Sequence, residues 1–152
     1  MKGNWGKILH VDLTSGTFTV EQPAESFYRA YVGGASMGAY YLLKMTPPRT
    51  DAFAPGNTLA FTLGPITGAP ISGNARHCVT TKSPLTGTIM SSEAGGFWAP
   101  ELKFAGFDGI IITGKSPRPV YLWVHDGAYE LRDAAALWGK VTGEAQDVIR
   151  AE

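Results

Sequence analysis

One cysteine, Cys78, occurs in 152 residues. An intrachain disulfide is therefore excluded, and four thiolates for a metal cluster cannot come from this chain. Charge is sparse as well. Charged residues make up 17% of the chain, thirteen basic side chains cancel thirteen acidic ones, and neither sign clusters. No electrostatic footprint for nucleic acid or an anionic membrane results. No apolar run approaches the length of a membrane span, and Met1-Lys2-Gly3-Asn4-Trp5 lacks the apolar core of a secretory signal, so the expected location is the cytoplasm. Phosphate loops, dinucleotide fingerprints and hydrolase elbows are missing: Gly64-Pro65-Ile66-Thr67-Gly68 has neither the lysine nor the helix setting they need. Internal repeats and low-complexity tracts are absent too.

Glycine and proline are what the chain has in quantity, nineteen and ten residues. Tight turns and short strands follow from that composition rather than long helices. With 44% hydrophobic residues, one modest core over residues 1–152 is expected. Lys7–Leu13 and Thr17–Glu21 read as a hairpin, and Gln22–Tyr31 as a short helix with Pro23 near its start. After Gly33-Gly34, a second helix over Ser36–Lys44 is expected to bury Ala39, Leu42 and Leu43, until Pro47-Pro48 stops it.

Thr58–Leu63 is a strand with Leu59, Phe61 and Leu63 on one face. Arg76–Lys82 pairs back on it, placing Cys78 and Thr80 on one face and His77, Val79 and Thr81 on the other. Thr88–Ser92 is a further strand, and Ala94–Phe104 a helix whose regular part begins near Ala99. Gly109–Gly114 reads as a strand buried on both faces. An Asp126-Gly127 turn joins Pro119–Val124 to Ala128–Arg132. A last helix from Thr142 is still running at Glu152. The fold class is α+β: a sheet-rich domain of two mixed or antiparallel β-sheets with short peripheral helices.

Candidate chemistry concentrates between Pro65 and Gly106. Glycines there let a backbone approach a flat ligand, and the first amides of a following helix offer free donors. Arg76 by itself reads as a solvated charge at a strand end. His77 and Cys78 are neighbours on a strand, so their side chains diverge and cannot share one ion or proton; a partly exposed histidine and a buried thiol are expected. His10 and His125 read as surface residues. Glu101 and Lys103, two apart on a helix, read as a solvated face. Gly33-Gly34 reads as a simple turn between helices in preference to a ligand contact, and Trp98 as the tryptophan closest to the glycine pair.

The run TKSPLTG (Thr81–Gly87), then Gly95-Gly96-Phe97-Trp98 and ELKFAGFD (Glu101–Asp108), resembles the amino-terminal domain of the tungsten-containing aldehyde:ferredoxin oxidoreductase family. Gly3-Asn4-Trp5-Gly6, Gly64–Gly68, Gly114-Lys115, Pro119-Val120-Tyr121 and Trp138-Gly139-Lys140 keep the family's order, so the likeness covers nearly the whole chain. It implies two sheets beneath a tungsten bis-pterin cofactor of the molybdopterin type, with magnesium bridging its phosphates and the Gly33-Gly34 break near the cofactor. Arg76 matches the family arginine beside that cofactor, and Ser92-Glu93-Ala94-Gly95-Gly96 matches the loop whose backbone holds one pterin. The implied cofactor contacts are Arg76, Glu93, Ala94, Gly95 and Gly96, with the Glu93 main-chain carbonyl as a magnesium ligand. Glu93 stands where aldehyde oxidoreductases carry asparagine, which marks a departure.

The same likeness implies aldehyde oxidation to a carboxylic acid, with electrons passing through an iron–sulfur cluster ligated outside this chain to ferredoxin or an electron-transfer subunit. Catalytic residues are expected in later domains of the same enzyme. The chain is accordingly expected to be a truncated platform, inactive alone, with a surface for those domains or for a homo-oligomer. Two alternatives stay open: a freestanding scaffold that assembles with another subunit, or a fragment of a branch acting on an aromatic thioester.

Overall fold

The computed structural model describes residues 2–152. Six short strands make up the main sheet, the last of them carrying an apolar run. They are β1 (Ile8–Asp12), β2 (Thr17–Glu21), β3 (Leu59–Leu63), β4 (His77–Lys82), β5 (Ile89–Ala94) and β6 (Gly109–Thr113). They assemble in the order β2-β1-β6-β3-β4-β5, with β1 and β6 parallel and every other neighbouring pair antiparallel. The apolar run Gly109–Ile112 of β6 is thus central, as its sequence requires, because both of its faces are covered.

Alternation along each strand divides the core in two. Ile8, Ala60 and Ile111 meet Tyr28, Met37 and Tyr41 from the helices α1 (Glu25–Tyr31) and α2 (Gly34–Met45). On the opposite face, Leu9, Val11, Leu63 and Ile110 pack with Ala99, Leu102 and Ala105 of α3 (Trp98–Phe104). The hairpin β7 (Val120–His125) and β8 (Ala128–Asp133) forms the second sheet and lays Leu122, Val124, Tyr129 and Leu131 against that same face. Asp126 and Gly127 both take positive φ, 46° and 81°, the turn that an Asp-Gly hairpin demands. The α+β class with two sheets is therefore observed.

Several expectations change. Leu43 is 72% exposed and Ala39 only partly buried, because the face of α2 that meets the sheet is set by Met37, Gly38, Tyr41 and Leu42. β5 runs on to Ala94, since β4 supplies it with partners that far. The last helix, α4 (Thr142–Arg150), ends before Glu152 and buries no residue. His10 is only 20% exposed, held by Glu21 at 2.7 Å beneath Tyr41.

The largest departure is Lys103. Its side chain is 9% exposed and its Nζ lies 2.6 Å from Oδ1 of Asp108, itself 1% exposed. Asp108 also accepts from the amides of Trp5, Gly6 and Lys7 and from the Tyr28 hydroxyl. A buried carboxylate needs such a set of donors to offset its desolvation. Glu101, by contrast, is exposed as expected.

Tyr28 and Tyr41 are buried and donate to Asp108 and Glu21. Burial first, and those carboxylates second, raise both phenols above their ordinary 10.0. An unfolded tyrosine ionises near its ordinary value while the folded one keeps its proton, so this contribution is complete below that pH and is lost above it. Urea titrations should show stability falling above about pH 10, by roughly 1.4 kcal/mol per pH unit for each tyrosine. Tyr28→Phe/Tyr41→Phe should remove most of that slope; an unchanged slope would refute the assignment.

Candidate functional site

β4 and β5 pair with His77 opposite Ala94 and Cys78 opposite Glu93. The residue before one strand and the residue after the other, Arg76 and Gly95, therefore meet at the same end of the pair. Arg76 and Glu93 share the sheet face covered by α2, and their side chains meet at 3.4 Å while remaining 67% and 58% exposed. Such an exposed pair is weak and easily exchanged for another anion.

A hollow of about 220 Å³ opens beside this pair, lined by Gly34, Gly64, Thr67, Asn74, Arg76 and Glu93 among others. Gly34 is the first residue of α2, whose first turn has no capping side chain and no acidic residue. The amide-bearing, electropositive end of that helix and the Arg76 guanidinium thus border one cavity. Thr62 fixes the helix start by donating to the Gly34 carbonyl at 2.8 Å. A side chain at Gly33 would meet the Leu63 carbonyl at 2.2 Å, so helix and β3 approach this closely only because the residue is glycine.

Beyond β5, Gly96 takes φ +107°, and a side chain at Gly95 or Gly96 would meet nothing within 4 Å. Their backbone is open to a visitor. Of the expected loop, Ser92, Glu93 and Ala94 belong to strand β5, leaving only the two glycines as a turn. The start of α2, on the other side of the hollow, adds free helix amides of its own.

His77 and Cys78 diverge as expected. Cys78 is buried, whereas the His77 ring packs against Trp98 at 4.5 Å on the opposite sheet face. Its Nδ1 is buried without a hydrogen-bond partner, and burial lowers its basicity. Among the described residues, no group of three or more histidine, cysteine, aspartate or glutamate side chains could hold a metal ion.

Residues 8–152 match the family model described as aldehyde ferredoxin oxidoreductase, N-terminal domain. The chain belongs to the aldehyde ferredoxin oxidoreductase family. It is 47% identical over its full length to the tungsten-containing aldehyde ferredoxin oxidoreductase of Pyrococcus abyssi, covering 25% of that protein. An aliphatic sulfonate oxidoreductase WOR-like subunit of Pyrococcus furiosus is 37% identical over 141 residues, 88% of this chain and 22% of that one. In structure, the active site complex BamBC of benzoyl coenzyme A reductase, bound to 1,5-dienoyl-CoA, matches with a TM-score of 0.95. That match is 40% identical over 99% of this chain and 23% of the other. The chain thus spans about a quarter of the length of the curated relatives it matches.

Within this aldehyde ferredoxin oxidoreductase domain, the fold brings Arg76, Glu93 and the Gly95-Gly96 turn together at one end of the sheet. It adds three residues that sequence reasoning did not assign: Gly34, Gly64 and Thr67. Glycine breaks were visible at the first two. The resemblance implied a cofactor near the Gly33-Gly34 break, and only the fold shows Gly34 and Gly64 bordering one cavity with Arg76. No described helix is long and apolar enough to cross a membrane.

Proposed function

We propose that this chain is the cofactor-platform portion of a tungstopterin oxidoreductase that oxidises aldehydes to carboxylic acids, passing electrons through an iron–sulfur cluster to ferredoxin. The observation that carries the reading is the hollow where the uncapped start of α2 and the exposed Arg76 guanidinium face one another. Both attract phosphate-bearing ligands, and the family's named tungsten enzymes share this whole domain.

The residues present suit a bis-pterin group. Gly95 and Gly96 leave room for a flat ligand against the backbone, and Arg76 has donors to spare beyond its contact with Glu93. Bound there, the group would supply the two-electron redox chemistry. Arg76 would hold its phosphate, Gly95 and Gly96 with Ala94 would support one pterin edge, and the Glu93 carbonyl would serve magnesium, an oxygen-seeking ion. The later domains would contribute the cluster cysteines and the acid–base groups, so this portion orients the cofactor and does not turn over alone. Phe97, 87% exposed next to the glycine pair, offers apolar surface for those domains.

Anaerobic titration of the chain with isolated bis-pterin cofactor tests this. Arg76→Ala should weaken binding about tenfold or more, the worth of a charge-assisted pair of hydrogen bonds. Gly95→Ala should leave unfolding unchanged within about 0.5 kcal/mol yet weaken binding too, because its methyl would fill space the ligand needs. Equal binding by both variants and the unaltered chain would reject the platform.

A second reading has its own support. The likeness to the BamBC complex favours a branch acting on an aromatic thioester instead of an aldehyde. Assay of the protein with aldehydes and with aromatic coenzyme A thioesters separates the two.

A further inference from the structure

Resting on the reading of Arg76 as an anion contact, we propose that Thr67 is a positioning residue for Arg76, anchored to the core through Lys103. The thirteen-residue connection from Gly64 to Arg76 has no regular structure, so its geometry must come from elsewhere. Three contacts supply it in sequence. Lys103, already committed to Asp108, donates its Nζ to the Gly64 carbonyl at 3.3 Å. The Gly64 amide donates to the Thr67 hydroxyl at 3.0 Å, while the Thr67 amide donates back to the Gly64 carbonyl at 3.2 Å. The Thr67 hydroxyl donates in turn to the main-chain carbonyl of Arg76 at 3.4 Å.

The Thr67 side chain is well suited to this. It is 6% exposed, so its hydroxyl has little water to turn to, and both its donor and acceptor capacities are used within the loop. Asn74 closes the far half of the loop through the Ala69 carbonyl at 2.7 Å, and Gly68 lies so close to Phe104 that a side chain there would touch the ring at 3.1 Å. The loop is thereby seated on α3 at two points, and Thr67 passes that seating to Arg76. Glu93 steadies the other end of the same residue, its guanidinium. A ligand that displaces Glu93 then meets a guanidinium whose backbone is already in place, which lowers the ordering cost of binding.

Isothermal titration of the 152-residue chain with inorganic pyrophosphate in the presence of magnesium is the test, using Thr67→Val, Thr67→Ser, Arg76→Ala and the Thr67→Val/Arg76→Ala pair. Valine keeps the shape and removes the hydroxyl; serine restores it. Thr67→Val should weaken binding about three- to tenfold, Thr67→Ser should bind within about twofold of the unaltered chain, and Thr67→Val should cost nothing further once Arg76 is alanine. A general loosening of the fold would instead weaken binding equally in both backgrounds, and that additive result overturns the brace. If Arg76→Ala binds pyrophosphate as well as the unaltered chain, or the unaltered chain binds none at millimolar concentration, the anion site itself is refuted and the brace with it.

Discussion

Asp108→Asn should destabilise the chain by about 3–5 kcal/mol, the usual consequence of breaking a buried ion pair from one side. Oδ1 accepts from the Trp5 amide and Lys103 Nζ, and Oδ2 from the amides of Gly6 and Lys7 and the Tyr28 hydroxyl. An asparagine must turn an NH2 group toward one of these donor sets. It also leaves a lysine that is 9% exposed without its counter-charge. Because the network ties the amino-terminal segment, α1 and α3 to the end of β6, unfolding in urea should shift its midpoint with little change in slope. Lys103→Met combined with Asp108→Asn should cost less than the two single losses added together, since the pair is one unit. A single-variant loss below about 1 kcal/mol would show that water reaches the carboxylate after all.

Gly33→Ala is the second large effect expected, a loss of about 3 kcal/mol at the upper end of overpacking costs. Its methyl would sit 2.2 Å from the Leu63 carbonyl oxygen, a backbone atom that cannot rotate away. The start of α2 must then withdraw from β3, and Gly34 moves with it. Cofactor or pyrophosphate binding should weaken together with stability, unlike Gly95→Ala, which touches nothing. Stability within about 0.5 kcal/mol of the unaltered chain would mean that the helix start adjusts freely and that its close approach does not shape the hollow.

These two positions also mark where sequence reasoning succeeded and where it stopped. Gly33-Gly34 was visible as a break between helices, and the turn reading was right as far as it went. That the break faces Arg76 depends on α2 crossing β3 and reaching β4, which lies some forty residues further along the chain. Lys103 misled for a similar reason. On an isolated helix it is a solvated cation, and only the convergence of Trp5, Gly64 and Asp108 around it removes the water. Glu93 and Ala94 have weak strand character of their own, and pairing with β4 overrides it.

What the sequence determined by itself was local and collective: the apolar alternation that divides the core, the apolar run of the centre strand, the Asp-Gly hairpin, and the ordered motifs that mark the family. The structural signals among these are written within a few adjacent residues, whose spacing decides which face is wetted, and the family motifs add the order of such short runs along the chain. Only the tertiary structure decided that Asp108 would be buried with five donors, that the start of α2 would share a cavity with Arg76, and that Thr67 would link that arginine to the core. Desolvation and hydrogen-bond partnership are properties of converging segments, and no one segment carries them.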